Sequence, residues 1–223
     1  MIRLLLLAFV VGCSSERRAR VTAEGSGLEW GEELFPLTEG DRRWYVTGES
    51  LGRLEVIGPA EVHGHSVVEV HRAYSGETLP TFVDRDGRGV WDYGSAWRIH
   101  PEPLPVLHFP VRVGKAWAMD SARWDLHLVA EVEAAEEVGC ALGVFEAVRV
   151  RHVLTSEHHG RELADVTTWY TPGIGPIKVM GSESFALKET DGSYTWIVQS
   201  MDWLLRYDQV QGHDSEREAS RVR

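Results

Sequence analysis

Residues 123–133 read Arg-Trp-Asp-Leu-His-Leu-Val-Ala-Glu-Val-Glu, and their alternation decides the fold. Trp124, Leu126, Leu128, Ala130 and Val132 fall on one face of an extended chain; Arg123, Asp125, His127, Glu131 and Glu133 fall on the other. Neighbouring side chains of a strand point to opposite faces, so this run has one buried and one wet side, as antiparallel sheets allow. Val148, Val150, His152 and Leu154 repeat the pattern against Arg149 and Arg151.

The same texture extends outward from this stretch. Short runs rich in Val, Ile, Thr, Trp and Tyr alternate with Gly, Pro and Asp, which predicts strands over 43–47, 54–57, 66–72, 166–171 and 194–201. Asp86-Gly87, between Thr81-Phe82-Val83 and Val90-Trp91-Asp92-Tyr93, marks a tight hairpin. Pro172-Gly173-Ile174-Gly175-Pro176 is turn chemistry leading into a strand at Ile177. A phosphate cradle would need a helix there instead. No long amphipathic helix is expected, only a short turn near the N-terminal junction. The fold class is mainly β: a strongly curved antiparallel sheet or half-open barrel.

The chain also echoes itself. Phe35 to Gly40 followed by Trp44 resembles Phe109 to Gly114 followed by Trp117. Gly64 to Arg72 resembles Gly143 to His152, and Thr81 to Asp84 resembles Thr168 to Thr171. The order is kept while the offset grows, which predicts two related half-units of about four strands each.

Residues 1–13, Met-Ile-Arg-Leu-Leu-Leu-Leu-Ala-Phe-Val-Val-Gly-Cys, have one cation and then an eight-residue apolar run, Leu4 to Val11. Eight residues rise about 12 Å as a helix, too short for the roughly 30 Å hydrocarbon core. The stretch reads as an export signal. Val10-Val11-Gly12-Cys13 resembles a bacterial lipobox, which implies acylation of Cys13 and a signal peptide over 1–12. Polar residues 13–29 read as a tether, 30–210 as one β domain, and charged 211–223 as a disordered tail. Ser14 after the cysteine implies, by lipoprotein sorting rules, an outer-membrane address facing the periplasm.

The formal net charge of −11, without basic runs, argues against nucleic acid and against a peripheral grip on anionic lipid. Membrane attachment is therefore expected through acyl chains. Besides Cys13 there is one cysteine, Cys140, so stability must come from the core, to which nine tryptophans contribute.

The Phe-Pro-Leu-x-x-Gly-x-x-x-Trp start, Gly143-Val144-Phe145-Glu146-Ala147, and Thr168-Trp169-Tyr170-Thr171-Pro172-Gly173-Ile174-Gly175 form an ordered set. Together they resemble a family of bacterial envelope lipoproteins of unknown function, over about residues 35–205. The resemblance implies a fold similar to the lipoprotein carriers (LolA/LolB-like). It transfers no catalytic residue.

Catalytic signals are weak. There is no Gly-x-Ser-x-Gly elbow, and Glu131, Glu133, Glu136 and Glu137 read as a solvated strand face and turn. His63 and His65, with His71 and His158-His159, fall short of a zinc set, so neither metal nor cofactor is expected. Trp44, Trp91, Trp124, Trp169 and Trp196 sit on expected strands, where their rings either line a concave apolar face or pack the core. His152, on an apolar strand face, is a hydrogen-bonded core histidine or a polar marker inside a cavity. The function expected is non-catalytic: a membrane-anchored lipoprotein binding a hydrophobic ligand or an envelope partner. The alternatives are an accessory interaction protein with a solid core, and a hydrolase or metal enzyme.

Overall fold

The computed structural model describes residues 28–47, 50–74, 77–121, 123, 125–156, 160–188 and 194–209. The signal peptide with Cys13, most of the tether and nearly all of the tail lie outside them. Twelve antiparallel strands form one sheet: β1 (Arg42–Thr47), β2 (Ser50–Val62), β3 (His65–Tyr74), β4 (Glu77–Asp86), β5 (Gly89–Ser95), β6 (Arg98–His108), β7 (Ala116–Ser121), β8 (Leu126–Cys140), β9 (Gly143–Ser156), β10 (Arg161–Thr171), β11 (Gly175–Lys188) and β12 (Tyr194–Gln209). Their order is β6-β5-β4-β3-β2-β1-β12-β11-β10-β9-β8-β7. The sheet is nearly closed into a barrel, with one unsealed seam. That seam separates β6 from β7. The described residues hold no α-helix, only a 3-10 turn at Glu32–Leu34.

In the deciding stretch, Leu126, Leu128, Ala130 and Val132 are all buried while Glu131 is exposed. Past Val132 the phase breaks. The pairing of β8 with β9 shifts between Val132 and Ala134, and Glu136 is buried, contrary to its reading as part of a wet face.

The echo in the sequence is an echo in the hydrogen bonding. The Gly40 N–H donates to the Val56 carbonyl at 2.8 Å, and the Val56 N–H returns to Asp41 at 2.9 Å. In the second half Gly114 donates to Val132 at 2.8 Å, and Val132 returns to Lys115 at 2.9 Å. Both glycines have positive φ, 87° and 81°, which a side chain would oppose. Bulges recur at matching steps, Val56/Gly58 with Val132/Ala134 and Phe82/Val83 with Trp169/Tyr170. Each half therefore holds six strands, β1–β6 and β7–β12, where about four were expected. The proline-rich run 98–108 does not read as a strand, and this accounts for part of the difference.

The two junctions between the halves are equivalent by this repeat, yet only one is paired. β12 forms a ladder with β1, whereas β6 forms none with β7. β12 has no proline, but β6 carries Pro101, Pro103 and Pro105, which have no N–H to donate. Pairing of β6 with β5 also skips from Leu104↔Asp92 to Ile99↔Gly94, leaving residues 100–103 without partners.

The segment before β1 lies across the end where β1 begins. Trp30 exchanges two backbone hydrogen bonds with Val111, and Glu33 accepts from Gly173 N–H at 2.7 Å. Arg43, fully buried beside Asp41, donates to the Pro36 carbonyl at 3.3 Å. Trp30 and Leu34 join the main core cluster with Val90, Leu107, Val132, Val150 and Tyr170.

Candidate functional site: the barrel lumen

A cavity of about 450 Å³ occupies the lumen, within the range of small-molecule sites. Every strand except β7 contributes to its wall. Apolar residues dominate: Leu54, Leu79, Val83, Leu104, Val106, Leu128, Val166, Val179 and Met201. Toward the end crossed by the segment before β1, the strap, lie Phe35, Tyr170 and Pro176; toward the other end lie Glu77, at the start of β4, and Trp97, with Arg72, Asp92 and Glu183 in the wall. Trp97, on the turn between β5 and β6, is 76% exposed.

Tyr170 brings the cavity's buried hydroxyl. Burial pushes its pKa up to about 12, against the opposing pull of a Thr168 hydrogen bond and the Arg72 charge. Tyr45 points inward from β1 and donates its hydroxyl hydrogen to the Pro176 carbonyl at 2.9 Å.

His152 lines the cavity, and its Nε2 lies 2.7 Å from the Val106 carbonyl of β6. A carbonyl only accepts, so Nε2 carries the hydrogen. Burial lowers the pKa of the ring, and the bond to Val106 opposes that shift. His152 is thus both a hydrogen-bonded histidine and a polar marker in the cavity.

The tryptophans fall elsewhere. Tyr45 faces the lumen, so Trp44 beside it faces away by strand alternation. Asp92 faces the lumen, and its neighbour Trp91 turns away, donating its Nε1 hydrogen to Asp86 at 3.2 Å. Thr168 and Tyr170 line the cavity, which sends Trp169 between them to the opposite side. There its Nε1–H meets Glu136 at 2.7 Å, and Lys178 sits 4.6 Å from the ring centroid. Trp124 and the side chain of Trp196 lie outside the described residues. The tryptophans that do line the lumen are Trp97 and Trp203. The period-two phase of each strand carries that distinction; residue type alone does not.

A chain of rings runs across the seam. Trp91 meets His108 edge-on at 5.3 Å, His108 stacks on Trp117 at 5.5 Å, and Trp117 meets His152 edge-on at 6.0 Å. The Trp117 Nε1–H donates to the Pro105 carbonyl at 3.1 Å, and Lys115 Nζ donates to the carbonyls of His108 and Pro110. Side chains thus suture what the backbone leaves unpaired. Sequence reasoning matched Trp117 with Trp44, but the two occupy opposite faces: Trp117 is buried in the core cluster.

Among the described residues no three of His, Cys, Asp and Glu converge on a metal position. His63 sits in the β2–β3 turn, the His65 ring lies 5.7 Å from Tyr93, and His71 pairs with Glu69 at 2.6 Å. His158 and His159 lie outside the described residues. Cys140 is free and half-buried at the end of β8.

No protein-family model and no curated protein matches the chain. Two solved structures share part of its shape. One is from Bacteroides fragilis, described as an exported protein with a YmcC-like fold, at 12% identity and TM-score 0.38, covering 82% of this chain and 100% of that one. The other is from Parabacteroides distasonis, described as a lipoprotein, at 10% identity and TM-score 0.33, covering 79% and 98%. Likeness this low carries no argument about what the present chain does, nor for the lipoprotein carriers in particular.

Proposed function

We propose that this protein is a non-catalytic, exported binding protein that holds an elongated hydrophobic ligand in its barrel. The cavity of about 450 Å³ in an otherwise packed sheet supports the reading, because a solid core would leave no such room. Its wall suits an apolar body: the polar groups near the strap, Tyr45 and Tyr170, are engaged with Pro176 and Thr168. Anchoring through acylated Cys13 belongs to the same proposal, as does placement in the outer membrane facing the periplasm. Leu28, the first described residue, leads into the strap end, so an N-terminal anchor would turn the opposite end of the lumen away from the membrane.

Edge pairing with an envelope protein is the less favoured reading for β6, because three prolines remove donors from that edge. The test is native mass spectrometry of the full chain purified from bacterial membranes. A noncovalent adduct of lipid mass, lost on collisional activation and absent in Val179→Trp, is the expected result. A bare protein mass under conditions that preserve other lipid complexes would overturn the reading.

A further inference from the structure

We infer that the lumen takes a neutral, single-chain lipid alcohol whose hydroxyl donates its hydrogen to Nδ1 of His152, an inference that rests on the lumen being a ligand site. His152 lies within β9 with Ala130 of β8 and Val166 of β10 as its cross-strand partners, so the wall beside it is apolar on both sides. Across the seam Val106 of β6 also lines the cavity, and its carbonyl takes the Nε2 hydrogen at 2.7 Å. A neutral ring with its hydrogen on Nε2 has an acceptor at Nδ1. That nitrogen meets no donor among the described residues, and it is not sealed from the accessible surface either. The surface that His152 keeps belongs to the cavity it lines.

An open acceptor in an apolar wall selects what fills the cavity. A polar group shut away from water without a partner is costly, so an occupant that brings a donor to this point is favoured over one that brings only methylenes. Burial lowers the pKa of the ring, which keeps His152 neutral and Nδ1 an acceptor at neutral pH. A carboxylate has no hydrogen to offer that lone pair. An ammonium would give up its water beside Ala130, Val106 and Val166, and an amide would bury a carbonyl along with its N–H. A hydroxyl brings the single donor with the least polar surface. The hydrocarbon chain would then lie along Leu54, Leu79, Val83 and Leu128.

The experiment titrates the full chain in phosphatidylcholine nanodiscs with decanol and with its isomer methyl nonyl ether, which has the same atoms but no donor. Partition of each into empty nanodiscs is the reference, and fluorescence of the lumen-lining Trp97 and Trp203 reports occupancy. The expected result is decanol binding about tenfold tighter than the ether, with the preference falling to within about twofold in His152→Leu. Because that substitution also loosens the seam, the second readout uses the unaltered chain with isotopically labelled histidine. Its His152 Nδ1 resonance, assigned through His152→Gln, should move with decanol and stay with the ether. Equal binding of the two isomers, or an Nδ1 resonance that decanol leaves in place, would overturn the hydroxyl inference while leaving the lumen as a site. A preference that survives His152→Leu would overturn the assignment to this imidazole. Failure of both probes to bind would bring down the lumen reading itself.

Discussion

The imidazole of His152 on β9 reaches the Val106 carbonyl on β6 at 2.7 Å, joining two strands that are not neighbours in the sheet. That bond and the Trp117–Pro105 bond close the lumen where the ladder stops. Replacing His152 by Leu removes the donor and leaves the carbonyl without its partner. The expected cost is about 1–3 kcal/mol in urea unfolding, with the m-value unchanged.

Acid should loosen the same seam. Burial holds the pKa values of His152 and His108 below the usual histidine value, and the Lys115 and Arg88 charges add to this at His108. A histidine with a depressed folded pKa binds fewer protons folded than unfolded. Stability is therefore intact above about pH 6.5 and falls as pH drops from there toward the folded pKa values. Urea unfolding at pH 7.5 and 5.5 should show the wild type losing more stability than His108→Asn/His152→Leu. An equal loss in both would place the acid sensitivity elsewhere.

The prolines of β6 make a separate prediction. Pro101→Val/Pro103→Val/Pro105→Val restores three N–H donors to a strand edge that the sheet leaves open. The variant should either self-associate through that edge or seal it against β7. Sedimentation velocity reads the first outcome and amide exchange protection in β7 the second. A monomer with unchanged exchange would mean that the prolines do not keep the seam open.

How far the sequence foretold this barrel follows from one property of strands. Alternation at 126–132 and 148–154 gave the half-buried sheet because those residues keep period two; Arg123 and Asp125, read as part of the same strand, lie instead in a turn, Asp125 with a φ of 53°. The bulge after Val132 was not legible, since one extra residue flips every later side chain without changing composition: Ala135 joins the main core cluster, and Glu136 is buried beside Trp169 on the face away from the lumen. The tryptophans failed for a related reason: they stand one residue out of phase with the lumen-lining Tyr45, Asp92 and Tyr170. His152 was legible because a polar residue on an apolar face has to find a partner.

Glu136 tests that bulge. It accepts Trp169 Nε1–H at 2.7 Å and Arg149 Nη1–H at 3.0 Å while itself buried. Glu136→Leu should cost about 1–3 kcal/mol, because both donors lose their acceptor. Glu137→Leu, next in sequence and exposed, should change stability by less than about 0.5 kcal/mol. Equal costs at the two positions would contradict the observed phase of β8.

Cys13→Ser addresses the proposed anchor. Metabolic labelling with a fatty acid analogue should mark the wild type and not the variant, which should accumulate at precursor mass with residues 1–12 still attached. Normal cleavage together with membrane partitioning of Cys13→Ser would rule out the lipobox.

Gly181 and Gly64 both have positive φ, 140° and 80°, but only one is enclosed. A Cβ on Gly181 would stand 2.0 Å from the Asp165 carbonyl oxygen of the neighbouring strand, while one on Gly64 meets nothing within 4 Å. Backbone atoms of a paired strand cannot step aside without breaking the β10–β11 ladder. Gly181→Ala should therefore cost about 3–5 kcal/mol, combining strain with overpacking, whereas Gly64→Ala should cost about 1 kcal/mol from φ alone. Urea midpoints compared at equal m-value separate the two. Similar costs would mean that φ, and not the close approach of β10, holds glycine at 181.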